Sequence, residues 1–175
     1  AAVSMTVSPD GRHAYVAGSY DNAVAVFDRD VATGFLTFVQ VLKDGVDGVD
    51  GLDGATSVTV SPDGLHAYAA GVIDDAVAVF SRDAASGELT FVQVLKDGVD
   101  GVDGMDHAVS VTVSPDGLHL YAAGAFDHAV AVFSRDAASG FLTFVQVLKD
   151  GVDGVDGLDR AVSVTVSPDG LHLYA

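Results

Sequence analysis

Apolar and polar residues alternate along most of this chain. In residues 2–8 (AVSMTVS), Val3, Met5 and Val7 alternate with Ala2, Ser4 and Thr6, and a period of two predicts a β-strand. Residues 13–18 (HAYVAG) predict a second strand, with Tyr15 and Ala17 on one face and Ala14 and Val16 on the other. Residues 23–28 (AVAVFD) predict a third, and residues 35–42 (FLTFVQVL) a fourth, with Leu36, Phe38 and Leu42 set against Val39 and Val41. Helix is excluded: Val, Thr, Phe and Tyr dominate, and Gly or Pro interrupts every stretch of helical length.

The connections punctuate this pattern. SPDG follows the first strand, SYDN (19–22) the second and RDVATG (29–34) the third; the loop KDGVDGVDGLD (43–53) follows the fourth. Proline suits the first central position of a tight turn, and Gly tolerates a positive φ at its exit. Three short links imply neighbouring antiparallel strands. The long link must carry the chain from one sheet to the next.

SPDG recurs with its proline at Pro9, Pro62, Pro115 and Pro168, an interval of 53 residues each time. A fixed long period decides the fold class. The repeats run 1–53, 54–106 and 107–159, and residues 160–175 begin a fourth. The third and fourth strands of each repeat are apolar on both faces, so each sheet is covered on both sides. Stacked four-stranded sheets of this kind describe a β-propeller, with the first strand of each blade lining the central channel. The expected fold is therefore all-β: three full blades and the first two strands of a fourth. A β-solenoid fits less well, because its rungs have shorter periods.

Closed propellers have about four to eight blades. Three and a fraction therefore imply one of two arrangements: self-association to close a ring, or further blades in a longer parent chain. The chain starts at Ala1 and stops inside a repeat, which also leads to the expectation of a piece of something larger. A ring of two copies would hold 28 strands, 14 from each, the number in seven four-stranded blades.

Charge narrows the partners. The formal net charge is −17, from 25 acidic and 8 basic residues. Such a field repels phosphate backbones and anionic bilayers, so nucleic acid is not expected. No apolar run reaches the roughly 18–20 residues of a membrane span, so membrane insertion is not expected either. Cations, metal ions and basic protein surfaces are the partners that the charge favours. There is no Cys, hence no disulfide framework and no thiol chemistry.

The acidic loops are the sharpest motif. Asp44, Asp47, Asp50 and Asp53 are spaced by three, as are Asp97, Asp100, Asp103 and Asp106, and Asp150, Asp153, Asp156 and Asp159. Oxygen-rich loops with permissive Gly suit Ca²⁺, although the spacing matches neither an EF-hand nor a nonapeptide calcium repeat. A solvated Asp-Gly turn series is the competing reading. In a propeller this loop shares a face with the SYDN turn. The second and third repeats match at 45 of 53 positions, and five of the eight differences fall in or beside these loops. Asp74, Asp75, His107, Asp127 and His128 are thus binding-face candidates; neutral drift at exposed loops would give the same pattern. His107 and His128, beside Asp106 and Asp127, could form a local metal or acid–base site. His13, His66, His119 and His172 recur once per blade and read as structural. Arg29, Arg82 and Arg135 each precede an Asp and read as turn-fixing or blade-linking residues. No nucleophile elbow, P-loop or HExxH motif is present.

The pattern SPDG-x-H-x-Y-x-A-G, then D-x-AVAVF-x-RD, then TG or SG-x-LTFVQ, resembles the lactonase-like β-propellers. That group is related to bacterial 6-phosphogluconolactonases and YVTN-repeat surface proteins. Ser8 to Gly11, Tyr15, Ala17, Gly18, Ala23 to Phe27, Arg29, Asp30, Gly34, Leu36, Thr37, Val39 and Gln40 carry the resemblance. It implies blade architecture. It also implies that enzymatic members are seven-bladed rings with divergent blades, whose chemistry rests on residues unique to particular blades. Here the blades are nearly identical, and no catalytic residue can be carried over. Two functional readings follow. One is a non-catalytic scaffold or binding module with an acidic face, secreted or displayed on a bacterial surface. The alternative is a lactonase-like hydrolase acting on a sugar lactone.

Overall fold

The computed structural model describes residues 1–175. The first blade comprises β1 (Ala2–Val7), β2 (His13–Gly18), β3 (Ala23–Arg29) and β4 (Leu36–Lys43). The second comprises β5 (Ala55–Val60), β6 (His66–Gly71), β7 (Ala76–Arg82) and β8 (Leu89–Lys96). The third comprises β9 (Ala108–Val113), β10 (His119–Gly124), β11 (Ala129–Arg135) and β12 (Leu142–Lys149). A short pair, β13 (Thr165–Val166) and β14 (Leu173–Tyr174), opens a fourth. Each full sheet is an antiparallel meander in chain order. Blades meet chiefly along β1, β5 and β9, so the first strand of each blade is innermost and the sheets fan out from it. This is the β-propeller architecture that the repeat predicts. No helix is long and apolar enough to cross a membrane.

The SPDG tips form as the residues dictate. The Gly11 N–H donates to the Ser8 carbonyl at 2.8 Å, with Gly11 at a φ of 73°, a region that costs glycine nothing. The Ser8 hydroxyl donates to Asp10 Oδ1 at 2.5 Å and accepts from the His13 N–H at 3.0 Å. Turn and strand start are therefore locked together.

Two bulges per blade correct the face assignments that strict alternation gives. Val26 pairs with Gln40 and Phe27 with Phe38, which leaves Val39 as the extra residue. A bulge shifts the side-chain phase by one. Leu42 consequently sits in the core between the first and second blades, 7% exposed, whereas Leu36 and Phe38 face away from that core at 47% and 59%. The three do not share a face. The second bulge lies between Ala2 and Ser4. Its effect is clearest in the third blade, where Val109 packs toward β13–β14 and Val111 packs toward the second blade. Val3 therefore does not share the face of Met5 and Val7.

The core lies between sheets. Each of the two complete blade-to-blade interfaces holds a cluster of 14 buried residues. In the first, Tyr15, Val24 and Val26 meet Ala67, Ala69 and Ala78. Large side chains on one sheet opposite alanines on the next let the sheets pack closely without voids.

A buried polar clamp closes each interface at the SPDG end. The Arg82 side chain is 1% exposed. Its Nε donates to the Tyr15 hydroxyl at 2.6 Å, Nη1 to the Gly64 carbonyl at 2.7 Å and Nη2 to Asp10 Oδ2 at 3.0 Å. Nη2 also lies 2.7 Å from His13 Nδ1. Arginine can only donate, so Nδ1 accepts and the imidazole hydrogen is assigned to Nε2, which faces Asp28 at 3.2 Å. The Tyr15 hydroxyl in turn donates to the Gly87 carbonyl at 2.9 Å. A Cβ on Gly87 would overlap the His13 ring, so only glycine fits there. Arg135, Tyr68, His66, Asp63 and Gly140 repeat the clamp one blade on. Burial pushes the Tyr68 hydroxyl up to about 12, so it stays a donor. Burial and the Arg135 charge push the His66 imidazole down. Burial opposes ionisation of Asp10, but the Ser8 hydroxyl, the Arg12 N–H and Arg82 outweigh it and hold the carboxyl well below the usual range.

Replacing the clamp arginine isolates its worth. Arg82→Met strands a buried tyrosine and histidine and is expected to cost about 3 kcal/mol near neutral pH; the partly exposed Asp10 arm contributes least. Arg29→Met, which breaks no inter-blade bond, should stay within about 0.5 kcal/mol. A depressed carboxyl pKa adds stability that is present above the unfolded value and lost as pH falls through the folded one. The Arg82→Met deficit should therefore narrow below about pH 4. Urea denaturation at neutral and acid pH measures both.

Candidate functional site: the acidic loop face

The loops between blades carry acids on one side and anchors on the other. Val49 and Leu52 are buried in the first interface, and Val102 and Met105 in the second. The loop is thus not a fully solvated turn series. Its backbone lies flat on the following sheet: a Cβ on Gly51 would collide with the Val94 side chain and crowd Ala76 and Ala78. Gly51 has a φ of 89°, so the turn needs glycine on both counts.

Folding brings some of the predicted acids together. Carboxylate oxygens of Asp44, Asp50 and Asp74 lie within 4.8 Å of one another, as do those of Asp97, Asp103 and Asp127. Each set joins two residues of one loop to one residue of the following blade's β6–β7 or β10–β11 turn, so the two kinds of connection do share a face. Asp44 Oδ1 accepts from the Leu52 N–H at 3.0 Å, and Asp74 Oδ2 from the Asp53 N–H at 3.0 Å. These carboxylates therefore also shape the loop.

Alternation of strands does not reveal the lysine in each set. Lys96 Nζ lies 2.8 Å from Asp50 and 3.4 Å from Asp74. Lys149 Nζ lies 2.8 Å from Asp103 and 3.2 Å from Asp127. The signal was available, because Lys43, Lys96 and Lys149 recur at the 53-residue period immediately before each acidic loop. Burial, then the charges of Asp74 and Asp50, push the Asp44 carboxyl up. Burial, with Asp127 and Asp103, does the same to Asp97. Asp127 also feels burial, but the Asp106 N–H and Lys149 outweigh it and hold it down. The bond to Asp50 pushes the Lys96 ammonium up, and the bond to Asp103 does so for Lys149.

The remaining candidates have other places. Asp47, Asp100 and Asp153 are exposed turn residues with φ of 52°, 51° and 50°. Asp53 and Asp106 contribute backbone N–H groups to Asp74 and Asp127. In the third loop Asp150 accepts from Leu158, while Asp156 is exposed and meets no lysine. Asp159 lies 2.9 Å from His128 Nδ1. His107 stacks on Phe126 with ring centroids 4.1 Å apart. His107 and His128 join neither carboxylate set. His128 instead occupies a backbone-capping position: its Nδ1 accepts from the Arg160 N–H at 2.9 Å, as Asp75 accepts from His107 and Asn22 from Gly54.

For a divalent cation, three carboxylates supply part of the roughly six to eight oxygens that Ca²⁺ takes. In both sets an ammonium already neutralises two of them. Asp44, Asp50 and Asp74, or Asp97, Asp103 and Asp127, are the residues that could hold the ion, in competition with the lysine.

The fold and its sites define a repetitive β-propeller. Residues 4–147 match the family of seven-bladed lactonase β-propellers, and the chain belongs to that family. A candidate 6-phosphogluconolactonase from Bacteroides fragilis NCTC 9343 is similar in structure, with 27% identity and a TM-score of 0.73 over 91% of this chain and 40% of that one. The periplasmic gluconolactonase of Pseudomonas aeruginosa is 28% identical, with a TM-score of 0.70 over 84% and 39%. The hydrazine synthase of Kuenenia stuttgartiensis, 22% identical with a TM-score of 0.69, shares the fold. The chain spans about two fifths of the length of these structures.

The lysine competition is directly testable. In Lys96→Met/Lys149→Met, roughly millimolar Ca²⁺ should raise the unfolding temperature by more than it does in the unaltered chain. An equal response in both would place any Ca²⁺ site elsewhere.

Proposed function

We propose that this chain acts as part of a lactonase-type propeller that hydrolyses a sugar lactone at its loop-bearing end. The observation that carries this reading is the family match across residues 4–147. Likeness to a candidate 6-phosphogluconolactonase and to a gluconolactonase supports the substrate class. In such a reaction water adds to the lactone carbonyl and the ring C–O bond breaks, giving the open hydroxy acid. Asp44 and Asp97, with carboxyls pushed up by burial and neighbouring charge, are suited to take the proton from water. Lys96 and Lys149 are suited to the developing oxyanion or to a sugar phosphate. Likeness to a periplasmic enzyme supports an exported location.

One observation favours a second reading, a non-catalytic scaffold. The acid–lysine set recurs in the same form in successive blades. So does a cleft between outer strands, about 270 Å³ beside Lys43 and Asp47 and about 300 Å³ beside Lys96 and Asp100. An enzyme pocket usually draws on groups that one blade has and the others lack. In this reading the blades present a repeated acidic surface, and the ring is completed by self-association or by further blades of a longer chain.

Acid release from 6-phosphogluconolactone and gluconolactone separates the two. The hydrolase reading expects turnover above the spontaneous rate, falling at least about tenfold in Asp44→Asn/Asp97→Asn while circular dichroism stays unchanged. Absence of turnover in the unaltered chain would leave the scaffold.

A further inference from the structure

Asp-Gly steps recur through the turns and loops of this chain, 14 in all, and folding does not treat them alike. Such a step is chemically weak. With no side chain on the glycine, its backbone nitrogen can attack the aspartate Cγ and close a five-membered succinimide. The attack needs a free carboxyl, a free N–H and open space around both.

Most of the steps lack one of these. At the SPDG tips the Gly11, Gly64, Gly117 and Gly170 N–H groups donate to the Ser8, Ser61, Ser114 and Ser167 carbonyls, and each aspartate accepts from its serine hydroxyl. In the first acidic loop the Gly45 N–H donates to the Val49 carbonyl at 2.9 Å, and Asp44 accepts from Leu52. Asp50 is held by Lys96, and Gly51 is buried. The Gly54 N–H donates to Asn22. The second loop holds Asp97, Gly98, Asp103 and Gly104 in the same ways.

Asp47–Gly48 and Asp100–Gly101 escape these restraints. Each pair sits at the centre of a four-residue turn, closed by the Val49 N–H on the Val46 carbonyl and by the Val102 N–H on the Val99 carbonyl, both at 3.0 Å. The central φ values are 52° and 81° in the first turn and 51° and 81° in the second. Two positive values make a type I′ turn, which Asp-Gly suits. All four residues are exposed. Neither glycine N–H has a partner, and a Cβ on either glycine would meet nothing within 4 Å. The third loop has the same turn at Asp153–Gly154, and there Asp156–Gly157 is exposed as well.

We propose that Asp47, Asp100 and Asp153 are self-modification sites, at which the chain converts spontaneously to isoaspartate. The Gly48 nitrogen bonds to the Asp47 Cγ, and the carboxyl hydroxyl leaves with the amide hydrogen as water. Water then adds to one of the two ring carbonyls. Addition at Cγ restores aspartate. Addition at the Asp47 main-chain carbonyl carbon breaks its bond to the Gly48 nitrogen, so the backbone now runs through Cβ and Cγ and a free α-carboxylate stands at the turn. The longer turn no longer matches its closing bond. That bond holds Val49, which is buried between the first two blades, so modification loosens the interface from the loop face. The chemistry does not depend on whether the chain hydrolyses lactones.

The test is to age the folded chain at mildly acid pH, digest it and locate isoaspartate by electron-transfer fragmentation, which distinguishes the two linkages. Isoaspartate at 47 and 100 should exceed that at 10, 44, 50, 63, 97 and 103 by at least about fivefold, the factor that a single hydrogen bond supplies. In strong urea the preference within each loop should vanish, because the steps there have similar neighbours. The unaltered chain should lose unfolding temperature on ageing. Asp47→Gly/Asp100→Gly/Asp153→Gly, which suits the positive φ and removes the reacting carboxyls, should lose far less. No isoaspartate in the aged chain, or equal amounts at all the steps while it is folded, would overturn the proposal. An equal loss of unfolding temperature in the triple variant would overturn the loosening of the interface.

Discussion

The arginine buried between blades is the constraint on which the rest of the structure depends. Arg82 has five N–H groups and no way to lose its charge, so its site must offer acceptors from several directions. The neighbouring blade provides them through Tyr15, His13 and Asp10, and Arg82's own blade adds the Gly64 carbonyl. That demand fixes the distance and angle between sheets more sharply than the alanine-rich apolar contact does. It also explains why SPDG, H-x-Y and R-D recur together. They are parts of one inter-blade device, split between opposite faces of each blade.

The acidic loops perform the matching task at the other end. A chain with formal charge −17 would be expected to splay its aspartates into solvent. Six of them instead gather in threes around a lysine. The geometry follows from the loop's apolar residues. Val49 and Leu52 insert between the sheets, which draws Asp44 and Asp50 toward Asp74. The ammonium offsets a repulsion that this packing creates. Burial and charge crowding at Asp44 then follow from the same anchoring that stabilises the interface.

Much of this was legible in the sequence. A period of two, the 53-residue interval and three short links in every four lead to the blades directly. The sharing of one face by the acidic loops and the β6–β7 turn also followed from connectivity. Two things were not legible. The bulges at Val39 and Val3 add one residue each without changing local composition, so alternation ran through them and placed Leu42 with Leu36. The lysine pairing is hidden because an Asp-rich run points to cations from outside, whereas the counter-ion is the last residue of the next blade's final strand. Long-range pairing of Lys96 with Asp50, 46 residues apart, is set by blade packing and has no local signature.

The variation between repeats can now be divided by what each position does. At 22, 75 and 128 the residue is Asn, Asp and His, and all three accept the N–H of the residue 32 positions on. At 54, 107 and 160 it is Gly, His and Arg, all with positive φ. These changes conserve a backbone bond and a turn. Position 73 differs in kind. It exchanges an exposed Ile73 for Phe126, which stacks on His107 and lies 5.6 Å from the Arg160 guanidinium. This cluster, at the join of the third blade and the start of the fourth, puts an aromatic ring and two basic side chains on a face otherwise dominated by carboxylates. A surface that distinguishes one blade from its neighbours therefore rests on Phe126, His107 and Arg160 rather than on the aspartates that dominate the sequence.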